Sequence, residues 1–312
     1  MMTDIPAHVI NHKQLEQLHA AARMHTTECG AGHVQWRVWG NQGRAVVLLH
    51  GGSGSWVHWM RNIPHLLSRG YVVYAPDLPG FGDSSAPPAG FDADAQTEWI
   101  ARGLDHLLGK QPYTLTAFSF GSLVATFVAA QAPPNLERLV LVGAPSLVEM
   151  PERNISLRNW RQLHDANERR QAHRHNLCEL MLFDDTLITD FVIDVYGHDA
   201  ERDQIPQRRL FKTDAIRQLM PSLQCPVWGI WGEHDVLYEN DFPAIKQSLS
   251  LAPRFQGMEI IRGAGHWVQF EAFQAFNAAL TAAIDTPVNA GAPDRNVQSS
   301  ASLIARRTQA TP

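Results

Sequence analysis

Residues 113–122, YTLTAFSFGS, join an apolar run to a serine set among small residues. The run YTLTAF has the composition of a short strand buried on both faces. The stretch that follows, GSLVATFVAAQA (121–132), has that of an apolar helix. Ser119 therefore stands at a strand–turn–helix junction. Such a turn forces the serine into a strained backbone shape, so small neighbours are needed two positions away on either side. Gly121 meets that need, and Ala117 adds only one methyl to the Gly-x-Ser-x-Gly pattern of nucleophilic serines. The competing reading is a serine that caps a helix.

Outward from this junction the chain keeps one rhythm. RAVVLLH (44–50), YVVYAP (71–76), RLVLVGA (138–144), VWGIWG (227–232) and MEIIRG (258–263) are short, mostly apolar strand candidates. Helical stretches alternate with them, at about 62–69, 96–109, 121–132, 240–251 and 267–284. This alternation predicts an α/β fold with a mostly parallel sheet flanked by helices. HVQWRVWG (33–40) alternates polar and apolar residues, as an exposed antiparallel strand does. Residues 146–222 hold no strand pattern and are expected as a helical lid inserted over the C-terminal edge of the sheet. The core is then 31–145 with 223–285. Residues 1–30 form an N-terminal extension with a helix at 10–23, and 286–312, poor in large apolar residues, form a disordered tail.

Composition narrows the function. The 312 residues are 45% hydrophobic and 18% charged with a formal net charge of −5, which suits a globular protein and offers no basic stripe for nucleic acid. No apolar run is long enough to span a bilayer, and the N-terminus lacks the pattern of a secretory signal, so a cytoplasmic location is the expectation. Cys29, Cys178 and Cys225 are too few and too scattered for a disulfide framework or a structural zinc site. His173 and His175, two apart on a helix, do not converge on one face, and no metal or cofactor is expected.

A serine hydroxyl needs a base, and the base needs an orienting carboxylate. IIRGAGHWVQFE (260–271) carries His266 in a loop after the last strand candidate. GIWGEHDVLYEN (229–240) carries Asp235 in the loop after the preceding one, with Glu233 too early in the turn to reach across. Loops at strand C-termini are where open α/β sheets hold their ligand sites. The order Ser119, Asp235, His266 is that of a hydrolase triad on such a sheet. LLHGGSGSW (48–56) supplies glycines whose N–H groups can approach a substrate oxygen, so Gly52 N–H and Phe120 N–H are the expected oxyanion donors. No dinucleotide or P-loop pattern competes for this loop. In DLPGFGDS (77–84), Asp77 is expected to hold turn amides.

With these residues in place, the chain resembles the α/β-hydrolase family from about residue 33 to 284. HGG at 50–52, DLPGFGDS at 77–84, FSFGS at 118–122, GEHD at 232–235 and GHW at 265–267 fall in that family's order. Within it, WVHWMRNI (56–63), LFDDTLITDFVIDVYG (182–197) and GHWVQFE (265–271) look like the meta-cleavage-product hydrolases, serine enzymes that cleave carbon–carbon bonds of ring-fission dienoates. The resemblance implies substrate contacts at His58, Trp59, Phe118, Tyr196 and Trp267. Three of these depart from that group. His58 and Phe118 replace asparagines, and Tyr196 replaces a lid arginine that grips the substrate carboxylate. Arg153, Arg158, Arg161, Arg169 and Arg170 are the cations nearest in sequence, set against the plainer reading of a solvated helix face.

The expected partner is thus a small-molecule substrate, an ester or ketone with an apolar or aromatic part. The dienoate C–C bond is an alternative. A non-catalytic ligand-binding protein on the same fold is a third reading, which predicts a damaged triad. Relatives with an aspartate at the position of Ser119, the dehalogenases and epoxide hydrolases, are disfavoured. Members of the family often form dimers, so a homodimer is carried as an expectation from the resemblance alone.

Overall fold

The computed structural model describes residues 6, 8–149, 155–205 and 207–287. Arg153 and most of the expected tail, from 288 onward, lie outside the described residues. Eight strands form one sheet in the order β1-β2-β4-β3-β5-β6-β7-β8. They span Arg23–Cys29 (β1), Gly32–Trp39 (β2), Ala45–Leu49 (β3), Val72–Pro76 (β4), Tyr113–Phe118 (β5), Leu136–Val142 (β6), Val227–Gly232 (β7) and Phe255–Ile261 (β8). β1 and β2 pair antiparallel, as do β2 and β4, and the pairs from β4 through β8 are parallel.

The helices are α1 (His12–Ala20), α2 (Ile63–Ser68), α3 (Ala93–Leu108), α4 (Phe120–Ala130), α5 (Ala166–Asn176), α6 (Asp190–Glu201), α7 (Ala215–Leu219), α8 (Phe242–Leu249), α9 (Val268–Glu271) and α10 (Phe273–Asp285). The central strands are buried throughout, and their side chains part by the period of two that a pleated strand imposes. Ala45, Val47 and Leu49 of β3 join Leu115 and Ala117 of β5 in a core with Leu104, Leu123 and Ile245 from α3, α4 and α8. Val46 and Leu48 turn the other way, to Leu66 of α2 and to Phe276 and Leu280 of α10. The result is a three-layer sandwich with the loops that follow each parallel strand gathered at one edge.

Three expectations from the sequence need correction. Residues 23–29 are not part of a helical extension; they form β1, joined to β2 by a tight turn with Gly30 at φ 59°. RMHTTEC is mostly polar and exposed, as an edge strand tolerates, so no apolar pattern announced it. β2 is not an exposed strand. Trp36, Arg37, Val38 and Trp39 are all buried, because β1, rather than solvent, covers its outer edge. Arg37 sits inside through ion pairs to Asp77 at 2.9 Å and to Asp83. Finally, β8 is only partly buried, since it has a neighbour on one side alone.

Among the described residues of 155–223 there is no strand, and the segment connects β6 to β7 through α5, α6, α7 and short 3₁₀ and π turns. Their contacts with the sheet are made at the loop edge. Ser55 Oγ donates to Asp199 Oδ2 at 2.7 Å, Trp267 N–H donates to the Met181 carbonyl at 2.8 Å, and Phe183 N–H donates to Glu271 Oε1 at 3.0 Å. Among the described residues no helix is long and apolar enough to cross a membrane.

Candidate active site

β5 ends at Phe118, and the chain turns at once into α4. Ser119 takes φ 48° and ψ −119°, a left-handed conformation that costs a non-glycine residue of order 1–3 kcal/mol. Gly121 allows the turn. A β-carbon there would stand 2.3 Å from the His50 carbonyl oxygen. Ala117 faces the core on β5 and is fully buried, so its methyl meets ordinary packing and not the tight crossing.

Ser119 Oγ lies 2.9 Å from His266 Nε2, and His266 Nδ1 lies 2.8 Å from Asp235 Oδ2. A carboxylate only accepts, so Nδ1 carries the proton and Nε2 of the neutral ring is free to accept the serine proton. Asp235 is fully buried and also accepts Leu237 N–H at 3.1 Å through Oδ1. Ser119 and His266 are 7% and 3% exposed, so the pair is almost wholly shielded from solvent. Gly143, at the end of β6 with φ 51°, leaves room for this pair: a β-carbon there would stand 3.1 Å from His266 Cε1 and 3.4 Å from Asp235 Oδ2. No motif marks Gly143, and only the strand order brings it under His266.

The loop after β3 crosses above this pair. The N–H of Phe120 is the first of α4, where no intrahelical acceptor exists, and it points from the same turn as Ser119. His50 fixes the loop's start. Its Nδ1 donates to the Gly51 carbonyl at 2.7 Å, and its Nε2 accepts Leu78 N–H at 2.8 Å. Burial lowers its pKa to about 4, so it is neutral and keeps both bonds. Asp77 behaves as the sequence suggests, accepting Asp83 N–H at 2.9 Å and Trp56 N–H at 3.1 Å.

Of the expected substrate contacts, His58 and Phe118 lie beside the triad. Phe118 packs 4.9 Å from the His266 ring and 5.3 Å from the His58 ring. Burial, and the nearby His50 and His266, hold His58 well below the usual imidazole range. His58 Nδ1 accepts Gly51 N–H at 3.1 Å, so its proton resides on Nε2. Trp267 is buried, stacked on Phe270 at 4.4 Å, and its indole N–H donates to the His58 carbonyl at 3.0 Å, which makes it a buttress for His58. Trp59 does not join the cluster: neighbouring side chains on the 3₁₀ turn Trp56–Trp59 diverge, and Trp59 packs against Phe276 of α10. Tyr196 lies one turn before Asp199, on the face of α6 that reaches the β3 loop. Its hydroxyl has no hydrogen-bond partner among the described residues, and burial pushes it up to about 12.

Of the arginines nearest in sequence, Arg169 and Arg170 are engaged elsewhere, and Arg161 reaches Asp203. Arg169 pairs with Glu201, Arg170 with Asp190 and Asp194, and Arg161 donates to the Asp203 carbonyl. The cation that does reach the loop is Arg208. Its guanidinium lies 3.1 Å from where a Gly52 β-carbon would stand, and its buried Nε has no partner among the described residues. Nothing in the local sequence RRLF distinguishes it from a surface arginine.

The strand order, with helices on both faces and the loops after the parallel strands gathered at one edge, is that of the α/β-hydrolase fold. Residues 44–186 match the family described as alpha/beta hydrolase fold. Among curated relatives, a 2-hydroxy-6-oxo-6-phenylhexa-2,4-dienoate hydrolase from Burkholderia cepacia is 24% identical over 254 residues, covering 76% of this chain and 86% of the relative. Among solved structures, the meta-cleavage product hydrolase CumD from Pseudomonas fluorescens IP01 superposes with a TM-score of 0.67 at 22% identity, covering 82% of this chain and 95% of its own. The carboxylesterase CesB from Bacillus subtilis does so with a TM-score of 0.67 at 21% identity, covering 86% and 93%.

Proposed function

We propose that the chain is a serine hydrolase that cleaves a carboxylic ester, or a similar carbonyl bond, of a small apolar or aromatic substrate. One observation carries this reading: the unbroken series Ser119 Oγ, His266 ring, Asp235 carboxylate at 2.9 and 2.8 Å, with the serine held at φ 48°. In the reaction Ser119 Oγ attacks the carbonyl carbon while His266 Nε2 takes its proton, and Asp235 stabilises the imidazolium. The oxyanion is received by the N–H groups of Gly52 and Phe120. His266 then returns the proton to the leaving group, and water hydrolyses the acyl-enzyme by the same route. The segment 155–223 serves as the lid, and Phe118 and His58 shape an apolar cleft with one neutral donor. No metal or cofactor enters these steps.

The dienoate C–C bond is a second reading, favoured by the names of the curated relatives and by Arg208, a cation beside the β3 loop. Parallel assays separate the two. Short aryl esters are hydrolysed by the wild type, and Ser119→Ala lowers kcat by about 10⁴-fold or more. Ester turnover that survives Ser119→Ala unchanged contradicts both readings, whereas loss of a ring-fission dienoate's visible absorbance, faster than any ester, selects the second.

A further inference from the structure

We infer that Asp203 is a positioning residue for the oxyanion loop, acting through the hydroxyl of Ser53. The inference rests on the serine-hydrolase reading and names a residue that reading does not use. Ser53 follows Gly52 directly and has φ 53°, one of few non-glycine residues in the left-handed region among the described residues. Such a conformation persists where its surroundings over-determine it. Here Ser53 Oγ donates to Asp203 Oδ2 at 2.6 Å. The Asp203 side chain is only 2% exposed, and its other oxygen accepts Ile205 N–H at 2.8 Å. Its carboxylate is thus aimed at Ser53 by its own backbone.

Arg208 closes the arrangement. Its Nη2 donates to Asp203 Oδ2 and, at 3.3 Å, to Ser53 Oγ, while the guanidinium covers Gly52. Arg161 stands 4.0 Å from the same carboxylate oxygen, largely exposed. A second tie runs from Ser55 Oγ to Asp199, and Gln204 N–H docks on the Gly80 carbonyl at 2.9 Å. Positions 52, 53 and 55 of one loop are therefore fixed by residues 199–208 of a segment about 150 positions away in sequence.

The consequence is kinetic. Charge appears on the oxygen only as the transition state forms, and a donor already aimed at that position needs no reorganisation then. A β3 loop released at Ser53 still admits substrate but holds the Gly52 N–H less well. Loss of the tie should therefore appear in kcat and leave KM nearly unchanged, a split that a general loss of stability does not produce.

The test measures kcat and KM for a p-nitrophenyl ester in the wild type, Ser53→Ala, Asp203→Asn and the double variant. Ser53→Ala is expected to lower kcat about 10-fold, a fraction of the 10²–10³ lost when a donor is removed outright. KM stays within about 2-fold, and the double variant falls little below Asp203→Asn alone. Unchanged kcat in Ser53→Ala, or losses that multiply in the double variant, overturns the inference while leaving the hydrolase reading standing. If Asp203→Asn does not fold, the kcat-against-KM split in Ser53→Ala decides alone. A folded wild type without ester or dienoate turnover overturns the hydrolase reading and this inference with it.

Discussion

The titrating groups around the β3 loop divide by burial. His50 and His58 are neutral throughout the physiological range because the interior penalises an imidazolium. Asp199 is the opposite case: burial raises its carboxyl from 3.8 to about 7, against the pull of the Ser55 hydrogen bond. Its folded pKa lies above its unfolded one, so the folded protein holds an extra proton between about pH 4 and 7. Stability contributed by that proton is present below this window, declines as pH rises through it and is constant above it. Asp199→Asn keeps the size and an acceptor for Ser55 without the titration. Melting curves should therefore show the variant gaining on the wild type from pH 4 to 7 and no further above. A Tm difference independent of pH would show that Asp199 does not titrate in this window. At this scale the sequence was most informative where chemistry is local. Ser119, Asp235 and His266 each follow a strand and have a glycine within three positions. Asp203 and Arg208 carry no such mark, because their roles come from chain segments that meet only in the folded protein.

The strand–turn–helix at 113–130 shows which departures from a pattern an element tolerates. Ala117 departs from the usual glycine yet points into the core, while Gly121 passes under the His50 carbonyl. Gly121→Ala should destabilise the protein by about 3 kcal/mol in denaturant unfolding, since the clashing atom is backbone and cannot rotate away. Ala117→Gly, which restores the common pattern, should instead cost about 1 kcal/mol through lost packing and added chain entropy, with ester turnover kept. If the two substitutions cost the same, the tight crossing is not where the geometry puts it. The central parallel strands were legible because they are apolar on both faces. β2 was misjudged for a related reason: polar letters suggested solvent, whereas Arg37 is buried against Asp77 and β1 seals the edge. Hydrophobic period reports burial of apolar side chains, not burial of a paired charge.

For the whole molecule, the order of strands and the order of motifs constrain each other. Parallel strands separated by helices put every strand's C-terminal loop on one edge, so residues 52, 119, 143, 235 and 266 are brought together by topology before any side chain interacts. That much follows from the sequence. How residues 155–223 lie against that edge does not, because the helical pattern gives lengths and faces but no docking partner. The ties from Ser53 and Ser55 to Asp203 and Asp199 supply it, joining the inserted segment to the loop proposed to receive the oxyanion.

The central claim is that Ser119 is an activated nucleophile. Intact-mass measurement and peptide mapping after reaction with a fluorophosphonate test it most directly. The claim predicts one adduct per chain, on Ser119, absent in Ser119→Ala and strongly slowed in His266→Ala. An unmodified wild type that is folded, or an adduct that maps to another residue, would contradict it.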